Sequence, residues 1–328
     1  MKKFLSIALV AAMAVFCFAG CGSTGGAGGS ADAAPAGSLT FTTGGDQGTY
    51  YGFGSVLAGQ VSGDTATKVT AITSGGSQAN VEAIQAGDAQ IGFVQSDVLA
   101  YAYNGTNLFE GAAVTDISVV AALYNEQVQI VTCDPSIKTV ADLKGKNVSI
   151  GAPGSGVYFN AIDILGAYDL TEADITPTYE SFGDSADSLK DGKIDAAFVV
   201  AGAPTTAITS LATSKPIYLV ALDDEHVAKL LEASPYYVKD VISKDAYGLE
   251  ADVTTVAVGA VVIASDSASE DDIYNFVSDI YENIDTITAA HAKGAELNLE
   301  YASSVTTVPY HPGAAKYFTE KGLTVATK

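Results

Sequence analysis

Three glycine-rich turns stand where an α/β protein would bind a small ligand. Each follows a predicted strand and precedes a predicted helix, and they cover residues 44–51, 74–78 and 152–156. Glycine lets the backbone come close to a ligand, and a helix start offers free N–H donors and the positive end of the helix dipole. Because ligands of open α/β sheets bind beyond the carboxyl ends of the strands, the three turns predict one binding site.

Other chemistries lack the residues that they need. No Gly-x-x-x-x-Gly-Lys-Ser/Thr sequence occurs, and no Gly-x-Gly-x-x-Gly followed by an acid fits a dinucleotide fold. No two of the histidines His226, His291 and His311 lie at metal-binding spacing. We expect the first two to be solvated on helices and His311 to order the turn before the last helix. With no general base near a nucleophile, the sequence predicts a binding protein without cofactor or metal, and an enzyme on the same scaffold is the weaker alternative.

The charge of the chain limits its partners. The formal net charge is −22, which argues against a nucleic-acid partner because phosphates need a basic surface. The chain contains no arginine. A bound carboxylate must therefore rely on lysine, hydroxyls, amides, backbone N–H groups or a helix N-terminus.

The first 37 residues predict export and a membrane anchor. Residues 1–20 join two lysines to an apolar stretch and small residues, which is typical of a secretory signal, and Cys21 follows directly. This pattern resembles a bacterial lipoprotein signal, in which the cysteine carries the lipid; the alternative is an ordinary cleaved signal with an incidental cysteine. Residues 21–37 are rich in Gly, Ser and Ala, and they predict a flexible tether. Cys133 then remains alone in an apolar run, where we expect a small buried side chain and no disulfide.

Predicted strands and helices alternate along the rest of the chain, which is typical of an α/β fold. Residues 84–95 and 189–200 echo each other, each with a helix end, a glycine and a short buried strand. The predicted strands also include 39–43, 69–73, 117–123, 128–133, 147–151, 175–179, 216–222 and 255–264. The predicted helices are 51–61, 78–86, 97–103, 140–143, 157–167, 184–190, 204–212 and 223–231, then a long helix over 270–292 and a last one from His311 to about Lys321.

An ordered set of motifs resembles a known family. The motifs are Gly48-Thr49-Tyr50-Tyr51, Thr73-Ser74-Gly75-Gly76-Ser77-Gln78-Ala79-Asn80, Val94-Gln95-Ser96-Asp97, Leu123-Tyr124-Asn125-Glu126-Gln127-Val128-Gln129, Val140-Ala141-Asp142-Leu143-Lys144-Gly145-Lys146, Gly151-Ala152-Pro153-Gly154-Ser155-Gly156, Phe198-Val199-Val200-Ala201-Gly202-Ala203-Pro204 and His311-Pro312-Gly313-Ala314. Together they resemble the TAXI solute receptors, the extracytoplasmic binding proteins of one class of TRAP transporter.

The resemblance implies a two-lobe periplasmic-binding-protein fold of the second type, with the ligand in a cleft between the lobes. We expect residues 38–125 plus 256–328 to form lobe 1 and residues 126–255 to form lobe 2. The resemblance also implies a monomer that captures glutamate, glutamine or a related small carboxylate and delivers it to an ion-driven TRAP permease in the membrane. A sensor that passes its closed form to a signalling partner remains an alternative.

The expected ligand-binding residues follow from the turns and the resemblance. They are Gln47, Gly48, Thr49, Tyr50, Ser74, Ser77, Asn80, Gln95, Ser96, Gly154, Ser155, Gly156, Tyr158, Asn160, Ala201, Gly202, Ala203, Pro204 and Tyr236. The family's third turn often continues with Thr and Arg, where this chain has Val157 and Tyr158. This departure favours a zwitterionic amino acid or another mono-anion over a dianion, with Asp97 or Glu126 as the expected partner of an ammonium group.

Overall fold

The computed structural model describes residues 37–328, which form one ten-stranded mixed sheet with helices packed against it. The strands are β1 (Ser38–Thr42), β2 (Lys68–Ile72), β3 (Ile91–Gln95), β4 (Ile117–Thr132), β5 (Asn147–Ser149), β6 (Thr176–Thr178), β7 (Ala196–Ala201), β8 (Tyr218–Leu219), β9 (Val238–Ile242) and β10 (Val253–Ser265). The helices are α1 (Thr49–Asp64), α2 (Ser77–Ala86), α3 (Ser96–Asn104), α4 (Val157–Ala167), α5 (Phe182–Asp191), α6 (Thr206–Ala212), α7 (Asp224–Ala233), α8 (Glu270–Glu282), α9 (Ile284–Ala290), α10 (Leu299–Ala302) and α11 (Pro312–Glu320). Short 3₁₀ turns lie at Asn107–Phe109, Val140–Leu143, Glu172–Asp174, Lys244–Ala246 and Ala292–Glu296. The predicted α/β class is confirmed.

Two long strands connect the halves of the sheet. Its order is β2-β1-β3-β10-β4-β7-β5-β6, with β8 beside β4 and β9 beside β10. Strands β1, β2 and β3 are parallel to one another, and so are β5, β6 and β7. Strands β10 and β4 lie antiparallel between these groups. The parallel groups place several strand ends and helix starts close together, as a ligand site requires.

Each half of the sheet has its own hydrophobic core. The first core joins β1, β3 and parts of β4 and β10 to helices that include α1 and α8. The second core lies on both faces of β7, where Phe198 and Val200 point into one cluster and Ala197 and Val199 into the other. This alternation follows from the period of two along a strand, and helices must cover both faces of such a strand. The parts of the chain around the first and second core are called lobe 1 and lobe 2 below.

The predicted long helix over 270–292 is wrong, because the chain breaks at Asn283. The Asn283 side chain donates to the Asp279 carbonyl and to the Asp279 carboxylate, both at 2.9 Å. An asparagine that bonds to the backbone in this way competes with the helix, so α8 ends and α9 starts at this residue.

Three other predictions along the chain need correction. The expected strands 117–123 and 128–133 are the single strand β4, since the polar residues between them pair with β10, as Asn125 does with Gly259. The edge strand β9 is missing from the predicted strands, because its residues are mostly exposed and include Lys239 and Asp240. Residues 140–143 form a 3₁₀ turn rather than an α-helix.

The histidines and Cys133 also have defined surroundings. The His311 ring accepts a hydrogen bond from the Gly313 N–H at 3.2 Å and caps α11, which confirms its predicted role. The expected solvation of the other two is wrong: His226 stacks on Tyr168, and His291 packs against Phe53. Cys133 is half-buried rather than buried.

No helix within residues 37–328 is long and apolar enough to cross a membrane. The predicted signal and Cys21 lie outside the described residues, as does the tether up to residue 36.

Candidate ligand-binding site

A cavity opens between the lobes, and the three glycine-rich turns meet around it. It encloses about 580 Å³, including open solvent at its mouth. The second and third turns lie side by side, since the N–H of Ala79, directly after the second turn, donates to the Gly154 carbonyl at 3.0 Å. The lining residues are Gly44, Gly45, Gly48, Thr49, Tyr50, Ser74, Gly75, Gly76, Ser77, Gln95, Glu126, Ala152, Ser155, Gly156, Val157, Glu180, Ser181, Phe182, Val200 and Ala201.

Three helices begin at the wall of this cavity. Helices α1, α2 and α4 have Gly48, Gly76 and Gly156 as their N-cap residues, and all three glycines line the cavity. Because glycine has no side chain with which to cap a helix, no N-cap side chain occupies the first-turn N–H groups. Two of these groups are used within the protein, since the Ala79 N–H of α2 donates to the Gly154 carbonyl and the Val157 N–H of α4 donates to the Ser155 hydroxyl, both at 3.0 Å. The first-turn N–H groups that remain unpaired can bind a ligand. A carboxylate at such a helix start is stabilised by about 0.3–1 kcal/mol when exposed and by up to about 2 kcal/mol when partly buried.

Gly156 is required by close packing across the cavity floor. A Cβ atom at this position would lie 1.4 Å from the Gln95 Oε1 atom. The backbone of Gly156 is in the ordinary right-handed helical region, so the backbone conformation does not require glycine, and a larger residue would displace the side chain of Gln95. Gly76 differs, because its φ of 111° lies in the region that favours glycine.

A polar network behind the cavity joins the two lobes. The Gln95 amide donates to the Asn160 Oδ1 atom at 2.7 Å, and the Asn160 amide donates to the Asp97 carboxylate at 2.9 Å. The Asn160 amide also donates to the Tyr237 hydroxyl at 2.9 Å. At the cavity wall, the Thr49 hydroxyl donates to the Gly202 carbonyl at 2.8 Å. These bonds between residues of lobe 1 and lobe 2 hold the lobes together over the cavity.

Two acids line the cavity. Glu126 is 2% exposed, and its Oε2 atom accepts a hydrogen bond from the Tyr50 hydroxyl at 2.8 Å. Burial raises the pKa of Glu126 to about 8, although the Tyr50 hydroxyl opposes this. Glu180 lines the lobe 2 side, and its buried Oε2 atom has no hydrogen-bond partner among residues 37–328.

Of the two expected partners of an ammonium group, Glu126 reaches the cavity and Asp97 lies behind it. Burial raises the pKa of Asp97 to about 6, against hydrogen bonds from the Val98 N–H and the Asn160 amide. Asp97 therefore belongs to the network that joins the lobes rather than to the lining.

Nine of the predicted ligand-binding residues line the cavity and ten do not. Those in the lining are Gly48, Thr49, Tyr50, Ser74, Ser77, Gln95, Ser155, Gly156 and Ala201. Those outside it are Gln47, Asn80, Ser96, Gly154, Tyr158, Asn160, Gly202, Ala203, Pro204 and Tyr236.

Most predicted residues outside the lining form hydrogen bonds that hold the neighbouring strands, helices and turns in place. The Asn80 amide donates to the Thr43 and Phe93 carbonyls, and the Ser96 hydroxyl accepts from the Gly259 N–H. Four other positions form hydrogen bonds across or beside the cleft through their backbone groups. The carbonyls of Gln47, Gly154 and Gly202 accept from the Ala207 N–H, the Ala79 N–H and the Thr49 hydroxyl, respectively. The Ala203 N–H donates to the Gln127 side chain. Pro204 follows this last segment and stays outside the lining.

The two predicted tyrosines outside the lining point to other surfaces. The Tyr158 hydroxyl donates to the Glu172 carboxylate at 3.0 Å, and the Tyr236 ring packs against Tyr101. Neighbouring residues of a helix point about 100° apart, so Val157 faces the cavity while Tyr158 faces away. The position at which the TAXI motif often has Arg therefore lies outside the lining of this cavity.

The prediction missed Glu180, Ser181 and Phe182, which line the lobe 2 side of the cavity. The sequence carried a signal for them, since they stand between a predicted strand and a predicted helix, as the three glycine-rich turns do. This fourth turn has a single glycine, Gly183, and does not stand out as the glycine-rich turns do. Phe182 also supplies an apolar wall, within 3.4 Å of a Cβ placed on Gly48.

Solved structures share the fold over most of their length. A protein of Bordetella bronchiseptica RB50 is 17% identical, with a TM-score of 0.51 over 86% of this chain and 89% of that one. The alkanesulfonate-binding protein SsuA from Xanthomonas axonopodis pv. citri, bound to MOPS, is 17% identical, with a TM-score of 0.49 over 88% of this chain and 92% of that one. A Salmonella typhimurium periplasmic binding protein with high arginine specificity is 13% identical, with a TM-score of 0.48 over 80% of this chain and 99% of that one.

The topology around the cavity is that of a type II periplasmic-binding-protein fold, as predicted. A sequence model of the NMT1-like family matches residues 41–322, which include every turn that lines the cavity. The chain belongs to the NMT1-like family.

Proposed function

We propose that this protein is an extracytoplasmic receptor that captures a small polar solute between its lobes and delivers it to a TRAP-type, ion-driven permease. The solute is an amino acid similar to glutamate or glutamine, or another small carboxylate. One observation carries the proposal: the cavity lies between two lobes, and direct hydrogen bonds such as Thr49 to Gly202 join the lobes over it. Such a site binds by closing around its ligand.

The lining suits a small polar molecule. It combines three helix starts at glycine N-caps with the hydroxyls of Ser74 and Ser77 and the amide of Gln95. Phe182 and Val200 supply apolar surface beside these groups. A few placed polar groups in a largely apolar pocket are typical of small-molecule sites.

The proposed division places residues 38–125 and 256–328 in lobe 1 and residues 126–255 in lobe 2. The cores support the first of these limits, since β4 gives Tyr124 to the first core and Val128 to the second. On β10 the chain returns a little later than the proposed limit, with Val258 still in the second core and Ala260 in the first. Bending of β4 and β10 at these points would open the cleft.

Delivery to a TRAP permease rests on the ordered TAXI-like motifs. Uptake of labelled solute by vesicles that contain a TRAP permease encoded beside this protein tests it. Uptake that depends on the added protein and on an ion gradient is expected. Binding without any stimulation of uptake would favour the alternative, a sensor that feeds a signalling partner.

Ligand binding should raise the melting temperature and compact the protein. A ligand that binds the folded form alone stabilises it by about 2.7 kcal/mol at a hundredfold excess over Kd. We expect at least one clear thermal shift in a screen of amino acids, keto acids and dicarboxylates, together with a smaller radius of gyration in solution scattering. Binding without compaction would contradict closure between the lobes.

We also propose that a lipid on Cys21 anchors the mature protein to the extracytoplasmic face of the membrane. The Cys21→Ser variant would lose its lipid site, and stable anchoring takes more than one acyl chain. We therefore expect this variant to be soluble or to remain unprocessed. Cell fractionation measures this, with Cys133→Ser as the matched control. Membrane association of Cys21→Ser equal to that of wild type would show that the anchor is not at this residue.

A further inference from the structure

We propose that the cavity selects an amino acid of zero or positive net charge, with Glu126 and Glu180 as counter-ions for its cationic or amide groups, and that it rejects dicarboxylates. This inference rests on the proposed function and names its ligand class. The carboxylate of the ligand would lie at the helix starts, and its ammonium group would lie at Glu126.

The positions of the two acids carry the proposal. Glu126 lies on β4 and lines the cavity with one hydrogen bond among the described residues, the one from Tyr50 to its Oε2 atom. Glu180 faces the same cavity from lobe 2 with a buried, unpartnered Oε2 atom. A buried polar atom without a partner costs free energy, so its presence in a binding cavity indicates a donor supplied by the ligand.

No side chain of opposite charge lines the cavity among residues 37–328. The nearby cation, Lys293, is 4% exposed and is held by Glu296 at 2.5 Å and over the Tyr124 ring. It lowers the pKa of Glu126 but stays outside the lining. A dicarboxylate therefore offers no cation to either acid, and its second negative charge is repelled wherever these carboxyls are ionised, because like charges at close range disfavour each other.

Binding of an ammonium group should also release a proton. Burial raises the pKa of Glu126 to about 8, so the free site holds a neutral carboxyl at neutral pH. The Tyr50 hydroxyl and Lys293 lower the pKa of Glu126, and Asp97 raises it. Tyr124 and Tyr301 also lie near it, and burial and then the Glu126 charge raise their own pKa values. Because an ammonium group favours the ionised carboxylate, affinity should rise with pH until about 8, by up to roughly tenfold per pH unit.

Calorimetry with amine and deamino pairs tests the proposal on the mature wild-type protein. The probes are the twenty amino acids, together with glutarate and 2-oxoglutarate, and for each amino acid that binds, the acid that lacks its amino group. We expect the tightest ligand to be a neutral or basic amino acid, to lose at least tenfold on removal of the amine, and to bind roughly tenfold tighter at pH 7 than at pH 6. A dicarboxylate as the tightest ligand, or equal affinity without the amine, would overturn the inference.

Isosteric variants test the charges of Glu126 and Glu180 without changing the shape of their side chains. Glu126→Gln and Glu180→Gln should each lower amino-acid affinity at least tenfold without weakening dicarboxylates, and Glu126→Gln should flatten the pH profile. Glu172→Gln, a lobe 2 acid outside the lining, should change neither. Unchanged affinity in both cavity variants would overturn the inference. Dicarboxylate binding with compaction would overturn the inference but keep the receptor function, whereas no binding of any probe by folded protein would count against both.

Discussion

Gly156→Ala should lower ligand affinity at least a hundredfold. The new Cβ would lie 1.4 Å from the Gln95 Oε1 atom, so Gln95 must leave its position or the third turn must move. Either change breaks the bond from Gln95 to Asn160 that joins the lobes. Overpacking of this kind typically costs about 1–3 kcal/mol of stability. Calorimetry with the tightest ligand of the screen and thermal melts of the free protein measure the two effects.

Gly166→Ala is the matched control for this change. Gly166 lies near the other end of α4, and a Cβ there would meet no atom within 4 Å. Alanine inside a helix is favoured over glycine by about 0.5–1 kcal/mol, so this variant should bind normally and melt slightly higher. Wild-type affinity in Gly156→Ala would show that the contact between Gln95 and the third turn does not shape the site.

Glu126→Gln should stabilise the ligand-free protein at alkaline pH. Burial raises the pKa of Glu126 from its ordinary value of 4.5 to about 8. The folded state therefore binds more protons than the unfolded state between these values, and the free energy of unfolding falls as the pH rises through this window. At about 1.4 kcal/mol per pKa unit, the cost above pH 8 is on the order of 5 kcal/mol.

Denaturant unfolding at pH 4.5, 7 and 9 measures this effect. The two proteins should be similarly stable at the lowest pH, and the variant should gain on wild type as the pH rises. Asp97, whose pKa is raised to about 6, should still give both proteins some loss of stability between about pH 4 and 6. A constant difference across the whole range would show that Glu126 ionises normally in the folded protein.

The sequence predicted the turns and helices around the site better than it predicted which side chains line the cavity. The three turns and helix α4, with the predicted bounds 157–167, are present in the structure because glycine positions and helical periodicity are local signals. The direction of each side chain is set by contacts between lobes. Asn80 and Asn160 both looked like ligand-binding amides, but Asn80 holds backbone carbonyls and Asn160 joins the lobes.

The sequence also could not predict which acids line the cavity. Glu126 was expected as one of two partners for an ammonium group, and nothing local distinguished it from Asp97, which lies behind the cavity. Glu180 stands in a turn with a single glycine, Gly183, and the glycine-rich pattern does not predict it. The pairing of β4 with β10 brings Glu126 to the floor of the cleft, and pairing between residues so distant in sequence leaves no local pattern.

Native mass spectrometry of the mature protein, purified without refolding, tests the central claim most directly. The account predicts a bound small molecule that dissociates on activation and is identified as an amino acid of zero or positive net charge, with Glu126→Gln purified in the same way retaining less of it. A bound dicarboxylate retained equally by wild type and Glu126→Gln would contradict the account.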